Sequence, residues 1–197
     1  MLDKPAIRDE SIVDAVLSDE DNRDIAAAKN GDGDAFGRLV RRYQTEIATQ
    51  MRRFSRDSAI CEELVHDVFV EAYISLRSFR GQAPWLHWLR RIAVRVGYRF
   101  WTNRKNLREK VSLSDGDWQC LQGHAPPPSD ATEAAEQVQA ALSRLPPADR
   151  LILTLIYLDG CTISEAAARG GWTVAGAKLR AFRARIRLKR VIDRGGS

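Results

Sequence analysis

The sequence predicts an all-α protein: two small helical domains joined by a flexible linker, with a helix-turn-helix in the C-terminal domain. Strand patterns are nearly absent, apolar residues recur at three- and four-residue steps, and a segment with three consecutive prolines interrupts that periodicity. We place an acidic extension at residues 1–20, the first domain at 21–106, the linker at 107–132 and the second domain at 133–192.

Four helices are predicted in the first domain. A short helix over 21–29 ends at a glycine turn, and Asp32 or Asp34 can cap the long helix that follows. A third helix covers about 60–79, and a fourth covers 85–106. The buried stripe of the fourth helix is predicted from its apolar spacing: Trp85, Leu89, Ile92 and Val96. Four more helices are predicted after the linker, the last two separated by Gly170-Gly171.

The composition excludes some classes of protein. No run of about 18 apolar residues is present, and the acidic N-terminal stretch lacks the features of a signal peptide, so we expect a cytoplasmic protein. The three cysteines Cys61, Cys120 and Cys161 are far apart, which predicts reduced thiols without a metal, with local redox sensing as the alternative. No P-loop or other catalytic motif occurs, so we expect no catalytic residue and no cofactor.

Positive charge is concentrated in two segments. Residues 90–110 and 178–194 each carry eight Lys or Arg against one acid, together +14, so the rest of a chain of net charge +5 sums to −9. The first segment belongs to a stretch, "WLHWLRRIAVRVGYRFWTNRKN", that also holds three of the five tryptophans. Aromatic faces can replace lost base stacking and basic side chains hold a strand's phosphates, so this stretch suits opened DNA.

The second basic segment follows a predicted helix-turn-helix. Thr162 and Glu165 have the spacing of a capping box, Gly171 stands where the turn needs a positive φ, and Thr173 can cap the next helix. That helix presents Lys178 and several arginines, which suits recognition of duplex DNA in the major groove.

Four blocks in order resemble bacterial RNA polymerase sigma factors of the extracytoplasmic-function (ECF) group. They are "GDGDAFGRLVRRY", "CEELVHDVFVEAYISLRSFRG", "WLHWLRRIA" and "LSRLPPADRLILTLIYLDGCTISEAAA". The resemblance implies a non-enzymatic subunit that recognises promoter DNA and binds the β′ clamp helices and the β flap of core polymerase. It also implies an anti-sigma factor that holds this subunit inactive. The sequence departs from the family's common residues at Arg95, Arg99, Gly176 and Leu179, so the promoter sequence is not inherited.

The resemblance and the charge pattern together give three candidate sites. For the −10 element and strand opening they are Trp88, Arg91, Arg95, Arg99, Arg104 and Lys105. For the −35 element they are Thr173, Lys178, Leu179, Arg180, Phe182, Arg183 and Arg185. For core polymerase they are Glu62, Glu63, His66, Asp67, Val70 and Glu71. A helix-turn-helix regulator, and a sigma-like interaction module without promoter melting, are the alternatives.

Overall fold

The computed structural model describes residues 19–111 and 130–195, and every regular element within these two ranges is helical. The first range holds α1 (Asp19–Lys29), α2 (Gly33–Met51), α3 (Ser58–Ser75), a 3-10 turn at Leu76–Ser78, and α4 (Trp85–Val111). The second holds α5 (Asp130–Ser143), α6 (Pro147–Leu153) with a π-helical turn at Thr154–Leu158, α7 (Ile163–Gly170) and α8 (Val174–Gly195).

The predicted linker is partly helical at both ends. Helix α4 continues to Val111 and α5 begins at Asp130, so both extend into the interval 107–132. The triple proline lies outside the described residues, as does most of the predicted extension 1–20. Residues 107–111 and 130–132 are the two overlaps between these helices and the predicted linker. Helix ends are the least certain part of a prediction from apolar spacing, so the predicted boundaries differ by a few residues.

The first domain packs α2, α3 and α4 together, and α1 packs on α2 through the buried Ile25 and Ala28 and through ion pairs. The predicted α4 stripe is confirmed, since Trp85, Leu89, Ile92 and Val96 are all at most 1% exposed. On the α1 side, Arg42 is paired with the buried Asp21 and lies 3.2 Å from the buried Asp24. Asp32 caps α2 through bonds from the amides of Asp34 and Ala35, so the first of the two cap candidates is the one used.

The second domain packs its helices around small residues of the last helix. Ala177, Ala181 and Ala184 of α8 are buried against α6 and α7. Small side chains let helices approach closely, and this is why large apolar residues are unnecessary at these positions. Asp149 of α6 is also buried and is paired with Arg187 of α8.

The two domains contact each other directly through α4, which lies against α6 and α7. The guanidinium of Arg150 stacks 3.9 Å from the ring centre of Trp101, and Arg53 lies 3.3 Å from Asp159. Buried residues of both domains form one continuous cluster across this contact. The domains are therefore packed together in this structure.

Candidate nucleic-acid and protein interfaces

One face of α4 carries the aromatic and basic residues predicted for opened DNA. Arg91, Arg95 and Arg99 are spaced four apart, are exposed, and lie on the same side of the helix. Trp88 lies on this side one turn earlier, half-buried, with its ring 4.8 Å from Trp85 and 5.2 Å from Phe79. The structure therefore gathers four of the six predicted residues into one surface.

The other two predicted residues of α4 lie apart from this surface. Arg104 is on the opposite side of the helix, where its guanidinium is 5.7 Å from the ring centre of Phe100 and lines a cavity. Lys105 lies within α4, but its side chain is outside what the structure describes. Arg104 was predicted with the others because it is close to them in the sequence. It follows Arg99 by five residues, and at 3.6 residues per turn this spacing places the two side chains on different sides of the helix.

Glu71 of α3 is paired with this arginine surface. Its carboxylate lies 3.1 Å from Arg95 and 3.2 Å from Arg99, and its side chain is only 27% exposed. Glu71 is one of the residues predicted to bind core polymerase, and that role stays a prediction. The structure places its carboxylate at the boundary between α3 and α4, where it is paired with two of the arginines predicted for the −10 element.

The acidic surface of α3 retains the other five predicted residues. Glu62, Glu63, His66, Asp67 and Val70 are all exposed. Ile74, one turn beyond Val70, is 77% exposed and extends the apolar centre of this surface, with Tyr73 beside it at 50%. The sequence reasoning missed Ile74, although its spacing of four from Val70 was the available signal.

The helix-turn-helix is built as predicted. The Glu165 amide donates to Thr162 Oγ1 at 3.2 Å, and the Thr162 amide donates to the Glu165 carboxylate at 2.7 Å, which completes the capping box. The Thr162 hydroxyl also donates to the Glu165 carboxylate at 2.8 Å, and the two bonds that this carboxylate accepts lower the pKa of Glu165. Gly171 has a φ of 69°, and Thr173 Oγ1 accepts a bond from the Gly176 amide.

Trp172 occupies the space left by small residues in the turn. A Cβ on Gly170 would lie 2.7 Å from the indole ring, so this glycine allows the ring to pack over the end of α7. The ring is half-buried rather than fully buried, and Arg180 covers it at 4.9 Å. The indole therefore sets the angle between α7 and α8.

The exposed face of α8 combines basic and apolar side chains. Lys178 and Arg183 are exposed, with Leu179 at 49% and Phe182 at 55% exposure between them. Thr173 is exposed at the start of the helix, and Arg185 donates to the Tyr157 hydroxyl at 3.3 Å. Ile186, 39% exposed, continues the apolar stripe and was missed at the sequence level.

Arg180 is an exception to the predicted −35 site. It is half-buried, covers Trp172, and lies 3.8 Å from the buried Asp149. Basic charge alone suggested DNA contact, but the helix turns this residue towards α6. Arg180 therefore packs on Trp172 and beside Asp149, and its contact with the −35 element stays a prediction.

Two thiols are described, and both lie in buried environments. Cys61 and Cys161 are buried and free, and burial raises the pKa of both, that of Cys161 to about 11. Cys61 lies on α3, whereas Cys161 lies in the connection before α7 rather than on a helix. Cys120 lies outside the described residues.

Two kinds of feature are absent from the part of the chain that the structure describes, residues 19–111 and 130–195. No cluster of three or more His, Cys, Asp or Glu side chains is arranged to hold a metal ion there. None of the helices in those ranges is both long and apolar enough to cross a membrane.

Comparison with known proteins identifies the class that this architecture defines. Residues 39–107 match the family described as sigma-70 region 2, and residues 135–188 match sigma-70 region 4. The RNA polymerase sigma factor CnrH of Cupriavidus metallidurans is 32% identical over 85% of this chain and 92% of its own length. The ECF RNA polymerase sigma-E factor of Escherichia coli is 28% identical over 89% of this chain and 92% of its own.

Solved structures agree with the fold. CnrH in complex with the cytosolic domain of CnrY has a TM-score of 0.56 at 26% identity, covering 89% of this chain and 98% of that one. The sigma factor RpoE of Bartonella quintana, in complex with the anti-sigma factor NepR, has a TM-score of 0.57 at 23% identity, covering 80% and 96%. The chain belongs to the RNA polymerase sigma factors. Within them it is a member of the ECF group, a promoter-recognising subunit of bacterial RNA polymerase.

Proposed function

We propose that this sigma factor reads its promoter with two helix faces on two domains. The face of α4 formed by Trp88, Arg91, Arg95 and Arg99 takes the −10 element and the opened strand. The face of α8 formed by Thr173, Lys178, Leu179, Phe182 and Arg183 takes the −35 element as duplex. The observation that carries this proposal is that each domain exposes one basic face with aromatic or apolar side chains inside it.

The two faces suit different forms of DNA. On α4, Trp88 already packs against other rings, so its half-exposed indole offers a rigid surface on which a base can stack. On α8, the N-terminal turns carry Lys178 and the apolar Leu179 and Phe182, which suit base edges and thymine methyl groups in a major groove. The Thr173 end of the helix suits a phosphate.

Core polymerase is proposed to dock on α3. Its exposed acids flank the apolar Val70 and Ile74, and an apolar centre with a polar rim is the usual anatomy of a protein interface. The resemblance names the β′ clamp helices as the partner there and the β flap as the partner of the second domain. Such docking requires the cytoplasm, where the polymerase is.

An anti-sigma factor is the proposed negative regulator. Two structural relatives were solved in complexes, RpoE with the anti-sigma factor NepR and CnrH with the cytosolic domain of CnrY. In the present structure the two domains pack together through α4, an arrangement that one partner can cover at once. A partner that stabilises this packing would keep the two DNA-facing helices from reaching separate promoter elements.

Substitutions in α8 test the promoter proposal. Lys178→Ala and Arg183→Ala should each weaken binding of polymerase holoenzyme to a cognate promoter by about 1–3 kcal/mol, because each removes a basic group from the DNA-facing surface. Association with core polymerase should not change. The measurement is competition binding on promoter DNA with purified core, beside a core-binding assay without DNA.

Arg194→Ala is the matched control. Arg194 is exposed at the opposite end of the same helix, and its substitution removes the same charge. An equal loss of promoter affinity in all three variants would mean that α8 contributes only non-specific positive charge. Duplex binding by the chain alone, without initiation when core is added, would instead favour the helix-turn-helix regulator. Core binding without promoter opening would favour the interaction module.

A further inference from the structure

A cavity of about 560 Å³ lies between the two domains. The first domain contributes the loop after α2, Arg52–Arg56, and part of α4 from Phe100 to Arg104. The second domain contributes residues of α5 and α6, from Gln139 to Arg150. The volume is within the range of small-molecule sites, about 300–1,000 Å³. Arg104, which the sequence predicted for the −10 element, lines it, whereas the α4 face formed by Trp88, Arg91, Arg95 and Arg99 does not.

The lining of this cavity is strongly basic. No Asp or Glu is among the lining residues that the structure describes. Five arginines line the cavity: Arg52, Arg53, Arg56, Arg104 and Arg150. Three of the five also have partners within the protein: Arg53 lies 3.3 Å from Asp159, Arg150 donates to Gln139 Oε1 at 3.2 Å, and Arg56 has a partner as well. Five positive charges around one small space favour a multiply charged anion, because guanidinium groups form charge-assisted hydrogen bonds to phosphates.

The wall of the cavity is aromatic as well as basic. Phe54, Phe100 and Trp101 line it, and Phe100 remains half-buried rather than enclosed by protein. Two of the arginines already lie over ring faces, Arg150 over Trp101 at 3.9 Å and Arg104 over Phe100 at 5.7 Å. Flat cationic and aromatic surfaces of this kind stack well on a nucleobase.

We propose that this cavity binds a nucleoside triphosphate, with the phosphates among the arginines and the base against Phe100 and the guanidinium planes. An acidic peptide satisfies the charge but has no use for the stacking surfaces. Inorganic polyphosphate has the same shortcoming. A ligand with a ring at one end and several negative charges at the other uses both features of the lining.

Binding there links the two domains. The ligand contacts the α2–α3 loop and α4 on one side and α5 and α6 on the other, so it stabilises the packed arrangement over one in which the domains separate. This inference is independent of the promoter sites, because it concerns the chain without DNA or polymerase.

The test is direct titration of the full-length protein. Isothermal titration calorimetry at physiological salt with ATP should show saturable binding, with weaker binding of tripolyphosphate and of adenosine. Arg52→Glu, at an exposed position of the lining, should weaken ATP binding about ten-fold or more, because it replaces an attractive charge with a repulsive one. ATP should also raise the thermal unfolding temperature of the wild-type protein.

Two further variants separate the cavity from general charge. Arg77→Glu makes the same charge change at an exposed position outside the cavity. It should change ATP affinity by less than about two-fold, because salt screens the interaction between a distant surface charge and the ligand. Phe100→Leu removes the ring but keeps an apolar side chain, and should reduce the preference for ATP over tripolyphosphate. A melting curve confirms that each variant is folded.

Four results would overturn the proposal. They are no detectable ATP binding, tripolyphosphate binding as tightly as ATP, equal losses in Arg52→Glu and Arg77→Glu, and an oligoglutamate peptide binding more tightly than ATP. The last result would assign the cavity to an acidic protein segment.

Discussion

At the scale of single residues, Gly97 allows the loop after α2 to pack closely on α4. A Cβ on Gly97 would lie 2.3 Å from the ring of Phe54, so the absence of a side chain lets this ring pack directly on α4. The Phe54 ring then lies 4.6 Å from Trp101, whose indole nitrogen donates to the Phe54 carbonyl at 2.9 Å. One glycine thus holds the arginine-rich loop against the indole that Arg150 covers.

Gly97→Ala should therefore destabilise the protein by about 1–3 kcal/mol, the usual cost of overpacking a core. Chemical denaturation monitored by circular dichroism measures this. Gly37→Ala is the matched control on α2, where the nearest atom to an added Cβ is 3.6 Å away, in ordinary contact. There alanine should be neutral or stabilising by up to about 1 kcal/mol, owing to its better helix propensity. Equal effects at both positions would mean that the Phe54 contact does not matter.

The buried thiols give a second prediction at this scale. Because burial raises the pKa values of Cys61 and Cys161, little thiolate exists at neutral pH, and the thiolate is the reactive form. Iodoacetamide at pH 7.5 should leave both unmodified in the native protein and modify both in denaturant, as mapped by mass spectrometry. Rapid native labelling of either residue would contradict the packing described around it.

At the scale of elements, the short helix α7 depends on its capping box. Thr162 and Glu165 each satisfy a backbone amide of the other at the start of a helix of only eight residues. Short helices derive little stability from propensity alone, so the cap has a large share in holding α7 at its angle to α8.

Thr162→Ala should cost about 1 kcal/mol of unfolding free energy. The bonds to Thr162 lower the pKa of Glu165, so its contribution is present above the unfolded pKa and is lost as the pH falls through the lower folded value. Stability of the wild type should therefore fall more between about pH 5 and 3 than that of Glu165→Gln. Denaturation at a series of pH values measures both, and identical pH profiles would exclude the capping role of Glu165.

The helix-turn-helix was predictable from sequence because its signals are local. A cap, a turn glycine and a following basic helix are separated by a few residues, and each acts on its own backbone. The pairing of Arg180 with Asp149 and of Glu71 with Arg95 was not predictable, because these partners are distant in the chain. Charge patterns alone do not show which basic or acidic residue turns inward, since packing between helices decides it. The buried stripe of α4 was predictable because its apolar residues recur every three or four positions, which places them on one side of the helix.

At the scale of the whole molecule, the two domains expose one basic helix face each, on α4 and α8, while packing against each other. The sequence predicted both domains but not their contact, because the residues that make it, such as Trp101 and Arg150, are distant in the chain and carry no local signal of their pairing. Promoter recognition at two elements requires the faces of α4 and α8 to be presented together on polymerase. We propose that the packed arrangement opens when the chain binds polymerase and promoter.

The most direct test of the account is transcription in vitro from a promoter of the protein's own regulon, with purified core polymerase and the full-length chain. The chain should bind core, and the two together should initiate at the promoter, while core alone does not. Glu63→Lys with Asp67→Lys on the exposed surface of α3 should abolish both core binding and initiation, because the docking surface becomes basic. Failure of the wild-type chain to bind core polymerase would contradict the account, even if the chain binds the promoter DNA.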